Sequence, residues 1–557
     1  MKRWLRLLIS RVQSHSSLPV PLEEREGKSC LGYGFHFLEN SGREFRWSRR
    51  FFGFYVEDAP VREVALLLNA PQQFTLSAWV DDTAVETKAL GVGEQIVTLR
   101  PRRKGGAGAR HIAFALDRTW RPPEDSRNLG VMLLGLRVTT DRNIVCYTPA
   151  ALSHNATKSN WQQCQAHFEP RTKPARPAGS NAEVNLAERG AAVERVKSSP
   201  LKLYLEVAWL CNLRCPSCFH AYVPATQRKA AIHFMSPHLF RQIAEQLFSG
   251  AMMVWYNGNG ETLLHPNAEA ILHASRDYSF VPALLTSGSL FTERNMRLLV
   301  EGGFFLSVSV DSPEPRDFER LRAGARFDKL TAALGYLVEL NRSIRNPRFN
   351  LRMQCVAQQS NLHQLADLVR WAHAYEAREV QFLPLQNFGH FSDYLEQSKL
   401  QHTPENANRQ MLAAIRAGTA LGVRVRPFPP FNPDPALERE FRDSIEENLH
   451  ASRSIDGLYR PLARMAEHPS NNADRKCFMA WSECFIGVDG NVAPCDMYLD
   501  VTTVGNLYDN NFWDIWNGPQ MAQMRRTVNS HPEALCRFGT CMFRPSPTGA
   551  RVFQRSQ

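Results

Sequence analysis

The sequence has no long apolar segment and no concentrated block of basic residues along its 557 positions. The apolar run near the N-terminus is interrupted by Arg6 and is too short for a secretory signal or a membrane span. The 66 basic and 55 acidic residues are spread along the chain, without a recognisable nucleic-acid-binding module. We therefore expect a cytoplasmic protein with no nucleic-acid partner. For the basic segment 1–27, contact with an anionic membrane surface is the weaker alternative to a frayed helix.

The distribution of cysteine is the most informative feature of the composition. Eight of the 12 cysteines fall into two groups, which indicates metal binding in a reducing compartment. The first group, Cys211, Cys215 and Cys218, has the spacing C-x3-C-x2-C. It lacks a fourth Cys or His for a structural zinc site, and any disulfide would leave one thiol unpaired. Three clustered thiolates therefore indicate a four-iron cluster with one iron open to another ligand.

A predicted strand, Lys202–Trp209, directly precedes this triplet, and the arrangement resembles the radical S-adenosylmethionine (radical SAM) enzymes. The resemblance implies that the three cysteines hold a 4Fe–4S cluster whose open iron binds S-adenosylmethionine (SAM). It also implies cleavage of SAM to a 5'-deoxyadenosyl radical that abstracts a hydrogen atom. A low-potential electron donor of the flavodoxin or ferredoxin type is the expected partner. Ser217 departs from the family, in which this position is often aromatic.

A Gly-rich turn follows the next buried strand and resembles the G-G-E-P element of the same family. The resemblance implies that Gly260 and Glu261 hold the amino group of SAM, although Asn259 and Thr262 depart from the motif. Ser309 matches a strand serine that often reaches the ribose of SAM. Because ligands gather at the carboxyl ends of parallel strands, these residues and the cysteine triplet are expected to lie together.

Apolar runs alternate with amphipathic stretches beyond residue 200, which predicts a parallel sheet covered by helices. The family resemblance makes this an α/β fold, a partial (β/α)6 TIM-like barrel. Short alternating strands between Cys30 and Cys146 predict an N-terminal β-sandwich. A segment rich in Pro, Ala and Arg predicts a mobile linker that tethers the sandwich. The predicted order is a basic segment (1–27), sandwich (28–160), linker (161–199), barrel (200–425), connector (426–474) and small C-terminal cluster-binding domain (475–557).

The second cysteine group lies in this C-terminal domain and resembles a reduced SPASM extension, the auxiliary-cluster domain of many radical SAM enzymes. Five cysteines suffice for one further 4Fe–4S cluster but not for two. The resemblance favours Cys477, Cys495, Cys536 and Cys541 as ligands. The alternative set takes Cys477, Cys484 and Cys495 with one of the last pair. A zinc site is a lesser alternative.

Asp496 directly follows one of these cysteines. The resembling sulfatase-maturing enzymes have an aspartate in this place that accepts a proton from the substrate. A carboxylate beside a buried cluster has the properties of a general base, so Asp496 is the candidate catalytic residue. A structural or surface role is the alternative.

The sequence therefore predicts a radical SAM enzyme that abstracts hydrogen from a sugar, nucleotide sugar or other small metabolite. A cell-surface polysaccharide pathway is favoured because the sandwich resembles modules attached to glycosyltransferases and methyltransferases of such pathways. A peptide- or protein-modifying SPASM maturase is one alternative. An iron–sulfur binding protein without turnover is another, although the intact triplet and Glu261 disfavour it.

Overall fold

The computed structural model describes residues 23–26, 29–40, 44–56, 61–101, 110–125, 127–141, 143–153, 157–170, 178–385, 393–452, 477–495 and 503–529. Three predicted site residues, Asp496, Cys536 and Cys541, lie outside the described residues, as does most of the segment 1–27. None of the described helices is long and apolar enough to cross a membrane.

Eleven strands of the N-terminal region, the predicted sandwich, form one hydrogen-bonded sheet: β1 (Glu23–Glu26), β2 (Cys30–Asn40), β3 (Glu44–Val56), β4 (Val61–Ala70), β5 (Phe74–Val80), β6 (Thr83–Leu90), β7 (Gly93–Leu99), β8 (Arg110–Leu116), β9 (Met132–Thr140), β10 (Asn143–Tyr147) and β11 (Leu152–Ser153). Burial alternates along β5, as expected for a strand with one face on a core. The long strand β3 changes partner, because Arg46 and Trp47 pair with β9 whereas Phe51–Val56 pair with β8. Phe52 and Leu66 are among the side chains of the enclosed core.

The segment predicted to be a mobile linker contains packed helices instead. Helix α1 (Lys158–Gln163) begins just before it, and α2 (Ala178–Gly190) lies within it. Trp161 and Phe168 are buried in the same core as the barrel residues. The amide of Asn181 donates to the carbonyl oxygens of Ser199, at 3.2 Å, and Gly250, at 2.7 Å. These buried contacts offset the loop-forming tendency that the composition indicates.

A ten-stranded sheet forms the centre of the barrel region, and its first seven strands are β12 (Lys202–Leu205), β13 (Met253–Tyr256), β14 (Val281–Thr286), β15 (Phe305–Ser309), β16 (Asn350–Ala357), β17 (Glu379–Pro384) and β18 (Arg424–Arg426). Neighbouring strands pair in parallel throughout this series. Strand β13 is buried along its whole length, as expected for a parallel sheet covered by helices.

Helices alternate with these strands along the chain: α3 (Ala225–Ala230), α4 (Pro237–Leu247), α5 (Ala268–Ala274), α6 (Glu293–Glu301), α7 (Pro315–Leu321), α8 (Phe327–Ile344), α9 (Leu365–Ala374), α10 (Asp393–Gln397), α11 (Pro404–Leu421) and α12 (Pro435–Ala451). The alternation confirms the predicted α/β class and barrel-like sheet. Because these strands are parallel, the loops that follow β12 to β15 all lie at the same edge of the sheet.

The C-terminal elements extend the same sheet: β19 (Glu483–Ile486), β20 (Asn491–Ala493), β21 (Gly505–Asn506), α13 (Met479–Ser482), α14 (Phe512–Trp516) and α15 (Pro519–Thr527). Strand β19 pairs in parallel with β12, the strand that leads into the cysteine triplet. Strands β19 and β20 form an antiparallel hairpin in which Gly490 has a φ of +80°. The left-handed backbone at this turn favours glycine.

The sandwich packs directly on the barrel and on the C-terminal elements. The amide of Phe51 donates to the carbonyl oxygen of Tyr508 at 2.8 Å, and Arg49 pairs with Asp509 at 3.0 Å. The ring of Tyr33 stacks on His238 of α4 with a centroid distance of 4.5 Å. The sandwich is therefore attached by buried contacts, not only by a tether as the sequence suggested. The predicted domain boundaries themselves stay predictions.

Candidate active site

The cysteine triplet lies in the loop that follows β12. The thiol sulfur of Cys211 accepts a hydrogen bond from the amide of Leu213 at 3.4 Å, and the amide of Cys218 donates to the carbonyl oxygen of Cys215 at 2.9 Å. Burial raises the pKa of all three thiols, for Cys211 to about 12. The thiols are therefore protonated at neutral pH without metal, and metal binding would release their protons.

Gly260 brings the Gly-rich turn into contact with the start of the cysteine loop. A Cβ atom at Gly260 would lie 2.4 Å from the carbonyl oxygen of Ala208 and 2.5 Å from that of Leu210. The next amide, of Glu261, donates to the carbonyl oxygen of Leu210 at 2.8 Å. Only glycine fits this approach, and the contact fixes Glu261 beside Cys211.

The carboxylate of Glu261 is buried and faces the end of β14. It accepts hydrogen bonds at 2.8 Å from the hydroxyl of Thr286 and from both the hydroxyl and the amide of Ser287. The amide of Leu263 donates to it as well, at 3.2 Å. The structure thus connects the ends of β13 and β14 through this side chain. The role predicted for Glu261 and Gly260 in holding the amino group of SAM stays a prediction.

Ser309 is the last residue of β15 and is largely buried at the same edge of the sheet. Asp311, two residues further on, pairs with Arg322, whose guanidinium lowers the pKa of the Cys215 thiol against the larger effect of burial. The cysteine loop and Glu261 follow the carboxyl ends of β12 and β13, and Ser309 lies at the carboxyl end of β15, at the same edge of the parallel sheet. The predicted contact of Ser309 with ribose stays a prediction.

Glu206 is a further residue of this region that the sequence analysis did not identify. Its carboxylate accepts a hydrogen bond from the amide of Asn259 at 2.8 Å and a longer one from the amide of Val488 at 3.5 Å. It therefore links the Gly-rich turn to the hairpin of the C-terminal elements. The available signal was an acidic residue directly after the apolar strand β12, since such a residue is rarely buried without partners.

Three cysteines of the C-terminal group, Cys477, Cys484 and Cys495, lie in the described residues. Cys484 lies on β19, fully buried beside β12, and burial raises the pKa of its thiol. Cys495 follows β20, and the amide of Cys477 donates to the Asn529 side chain at 2.6 Å. Cys484 and Cys495 are both buried, so burial does not distinguish the two ligand sets. The sets stay predictions, because Cys536 and Cys541 are not described.

The donor set fits the cofactors that the sequence implies. The three thiols follow the end of β12. At Gly260 the Gly-rich turn presents its backbone, without a side chain, to the start of the cysteine loop. In the described residues no three His, Cys, Asp or Glu side chains converge on one point to bind a single metal ion. Each cysteine of a cubic cluster binds its own iron, so such convergence is not required of this triplet.

Comparisons with known proteins identify a matching family model and several similar proteins. Residues 477–542 match the SPASM family model, described as an iron-sulfur cluster-binding domain. The chain is similar to the antilisterial bacteriocin subtilosin biosynthesis protein AlbA of Bacillus subtilis, 21% identical over 354 residues, covering 62% of this chain and 65% of AlbA. It is 24% identical over 350 residues to the PqqA peptide cyclase of Rhodopseudomonas palustris, covering 62% of this chain and 78% of that protein. The crystal structure of Streptococcus suis SuiB bound to precursor peptide SuiA covers 62% of this chain and 71% of SuiB, with 16% identity and a TM-score of 0.41.

These matches confirm the predicted resemblance to radical SAM enzymes with a SPASM-like C-terminal domain. The predicted cofactors, a SAM-binding 4Fe–4S cluster, SAM and a second 4Fe–4S cluster, agree with that class of enzyme. The chain spans 65% of the length of AlbA, the first of these relatives.

Proposed function

We propose that this protein is a radical SAM enzyme that modifies a peptide or a protein. The observation that carries the chemistry is the meeting of the cysteine loop with the Gly-rich turn, where the Glu261 amide donates to Leu210 beside Cys211. The triplet would hold the cluster, and Gly260 and Glu261 would orient the amino group of SAM. When bound there, cluster and SAM supply the 5'-deoxyadenosyl radical that abstracts a hydrogen atom.

The choice of a peptide substrate rests on the relatives. One is named for bacteriocin biosynthesis and another as a peptide cyclase. They favour the peptide-modifying alternative over the sugar or nucleotide-sugar substrate that the sandwich suggested. In this proposal a flavodoxin or ferredoxin delivers the electron. Asp496 is proposed as the base that accepts a proton from the oxidised substrate.

Formation of 5'-deoxyadenosine tests the reaction class. Anaerobically reconstituted protein with dithionite and SAM is expected to yield this product. The variant C215A should not form 5'-deoxyadenosine. The control variant C146A should still form it, because Cys146 is a buried cysteine of the sandwich outside both cysteine groups. Absence of the product from iron-loaded wild-type protein would contradict the proposal. We expect about eight iron atoms per chain if the protein holds two four-iron clusters. A content of about four would contradict the prediction of an auxiliary cluster.

Transfer of deuterium tests the substrate class. Candidate precursor peptides encoded beside the gene, carrying deuterium on their side chains, should pass the label to 5'-deoxyadenosine and change in mass. Deuterated nucleotide sugars form the other arm. Label transfer from the sugars but not from the peptides would contradict the proposed peptide substrate, while still supporting the proposed radical reaction.

A further inference from the structure

A buried ion pair lies beside the cysteine triplet. Nε of Arg322 is 2.6 Å from Oδ2 of Asp311, and Nη2 donates to Oδ1 at 3.1 Å. The Asp311 side chain is 1% exposed and the Arg322 side chain 14%. Oδ1 of Asp311 also accepts a hydrogen bond from the amide of Val356 on β16, at 2.8 Å. The Val356 amide of the sheet thus holds the Asp311 carboxylate, which in turn orients the Arg322 guanidinium.

The segment that carries Arg322 is attached to the cysteine loop itself. The amide of Arg214 donates to the carbonyl oxygen of Ala323 at 2.8 Å. Gly324 follows with a φ of +100°, and a Cβ atom there would lie 3.4 Å from the Leu213 side chain. Arg322 and the loop between Cys211 and Cys215 therefore keep a constant relative position.

Arg322 lies close to Cys215, because the hydrogen bond from the Arg214 amide to the Ala323 carbonyl oxygen joins the residue before Cys215 to the residue after Arg322. The positive charge of Arg322 is therefore held near one of the three predicted cluster ligands, with the Asp311 carboxylate paired to it. Arginine stays charged at every accessible pH. Iron–sulfur potentials depend on nearby charge, on hydrogen bonds to the sulfurs and on exposure. Because reduction adds negative charge to a cluster, a fixed cation at one ligand favours the reduced form and a carboxylate behind it opposes this effect.

We propose that Arg322 is a positioning residue that raises the reduction potential of the cluster held by Cys211, Cys215 and Cys218, and that Asp311 limits this increase. The inference rests on the proposed function, since it requires a cluster at this triplet. Its consequence is that two oppositely charged side chains set how readily the cluster accepts an electron.

A redox titration of the reconstituted full-length protein, followed by electron paramagnetic resonance, tests the proposal. The signal that changes on SAM addition identifies the cluster of interest. In R322Q the ratio of reduced to oxidised cluster at a fixed potential should fall about tenfold, which is a shift of about 59 mV to lower potential. In D311N the potential should shift the opposite way. R322K keeps the charge and should lie between R322Q and wild type.

Opposite shifts separate this effect from a loosened fold, which would move both variants in the same direction. R320Q is the matched control, because Arg320 of α7 pairs with Asp317 at the surface and should leave the potential unchanged. If R322Q does not load iron, D311N decides, and a wild-type potential in D311N overturns the proposal. Unshifted potentials, or shifts of one sign, overturn it as well. Lack of a SAM-responsive signal in iron-loaded wild-type protein instead contradicts the proposed function.

Discussion

Among the glycines of the candidate site, Gly260 has the least space for a Cβ atom. In G260A the new Cβ atom would overlap the carbonyl oxygens of Ala208 and Leu210, so the turn must move away from the cysteine loop. We expect at least tenfold weaker SAM binding, measured by isothermal titration. G335A is the control, because nothing lies within 4 Å of a Cβ atom at Gly335 in α8. That variant should keep SAM affinity and gain up to about 1 kcal/mol of helix stability. Equal SAM affinity in G260A and wild type would show that the turn does not contact the cofactor.

Glu206 is the residue whose carboxylate connects two loops. In E206Q one carboxylate oxygen becomes an amide that cannot accept, so the hydrogen bond from Asn259 or that from Val488 is lost. Loss of one bond from a buried amide costs about 1–3 kcal/mol, which calorimetry should detect as a lower unfolding temperature. E339Q, at an exposed position of α8, is the control and should unfold like wild type. An unchanged unfolding temperature in E206Q would contradict the connecting role.

The sequence identified the cysteine triplet and the Gly-rich turn because their spacing is local. It could not identify the partners of Glu261, since Thr286 and Ser287 come from the next strand and neither belongs to a recognisable motif. The pairing of Arg322 with Asp311 likewise depends on how the segment after β15 folds back on that strand. The spacing of residues along the sequence does not predict contacts between side chains of different strands and helices.

At the scale of elements, β8 contacts α4 through a cluster of buried titratable groups. The Nε2 atom of His111 lies 2.8 Å from the hydroxyl of Tyr33. Burial lowers the pKa of His111 to about 4, against about 6.5 in an unfolded chain. The other titratable and charged groups that face it are Asp82, His167, Arg241, His238 and Tyr55.

This shift predicts a loss of stability in acid. Because the unfolded histidine binds a proton first, the contribution of His111 is complete above about pH 6.5 and decreases as the pH falls towards 4. The loss should be on the order of 3 kcal/mol and visible in urea unfolding at pH 7 and pH 4.5. H111F should reduce the difference between the two pH values, whereas H450Q, at an exposed position of α12, should not. An identical difference in H111F and wild type would assign the pH dependence to other groups.

The alternation of strands and helices in the barrel was predictable, because each element has its own apolar pattern. The packed helices between sandwich and barrel were not, since α2 is polar in composition and is fixed by Asn181 and Asn185 through buried hydrogen bonds. The pairing of β19 with β12 was also outside the reach of local patterns. It joins strands that are far apart in the sequence.

At the scale of the whole molecule, Arg49 of the sandwich and Asp509 of the C-terminal elements form a pair across the interface. Burial raises the pKa of Asp509, and Arg49 opposes this rise. R49M leaves a largely buried carboxylate without this cation, so we expect a loss of about 3 kcal/mol, measured by calorimetry. D509N added to R49M should recover part of the loss. R118M, which breaks an exposed pair with Asp117, should cost less than about 1 kcal/mol. Equal effects of R49M and R118M would show that the interface does not depend on this pair.

The parallel pairing of Lys202–Leu205 with Glu483–Ile486 also determines the order of events during synthesis. The outer edge of β12 stays unpaired until the ribosome has made β19, and an open strand edge can pair with other chains. Contacts between such distant residues also form slowly, because a long loop must close first. Nascent chains stalled before residue 483 should therefore bind chaperones or aggregate, while longer chains mature.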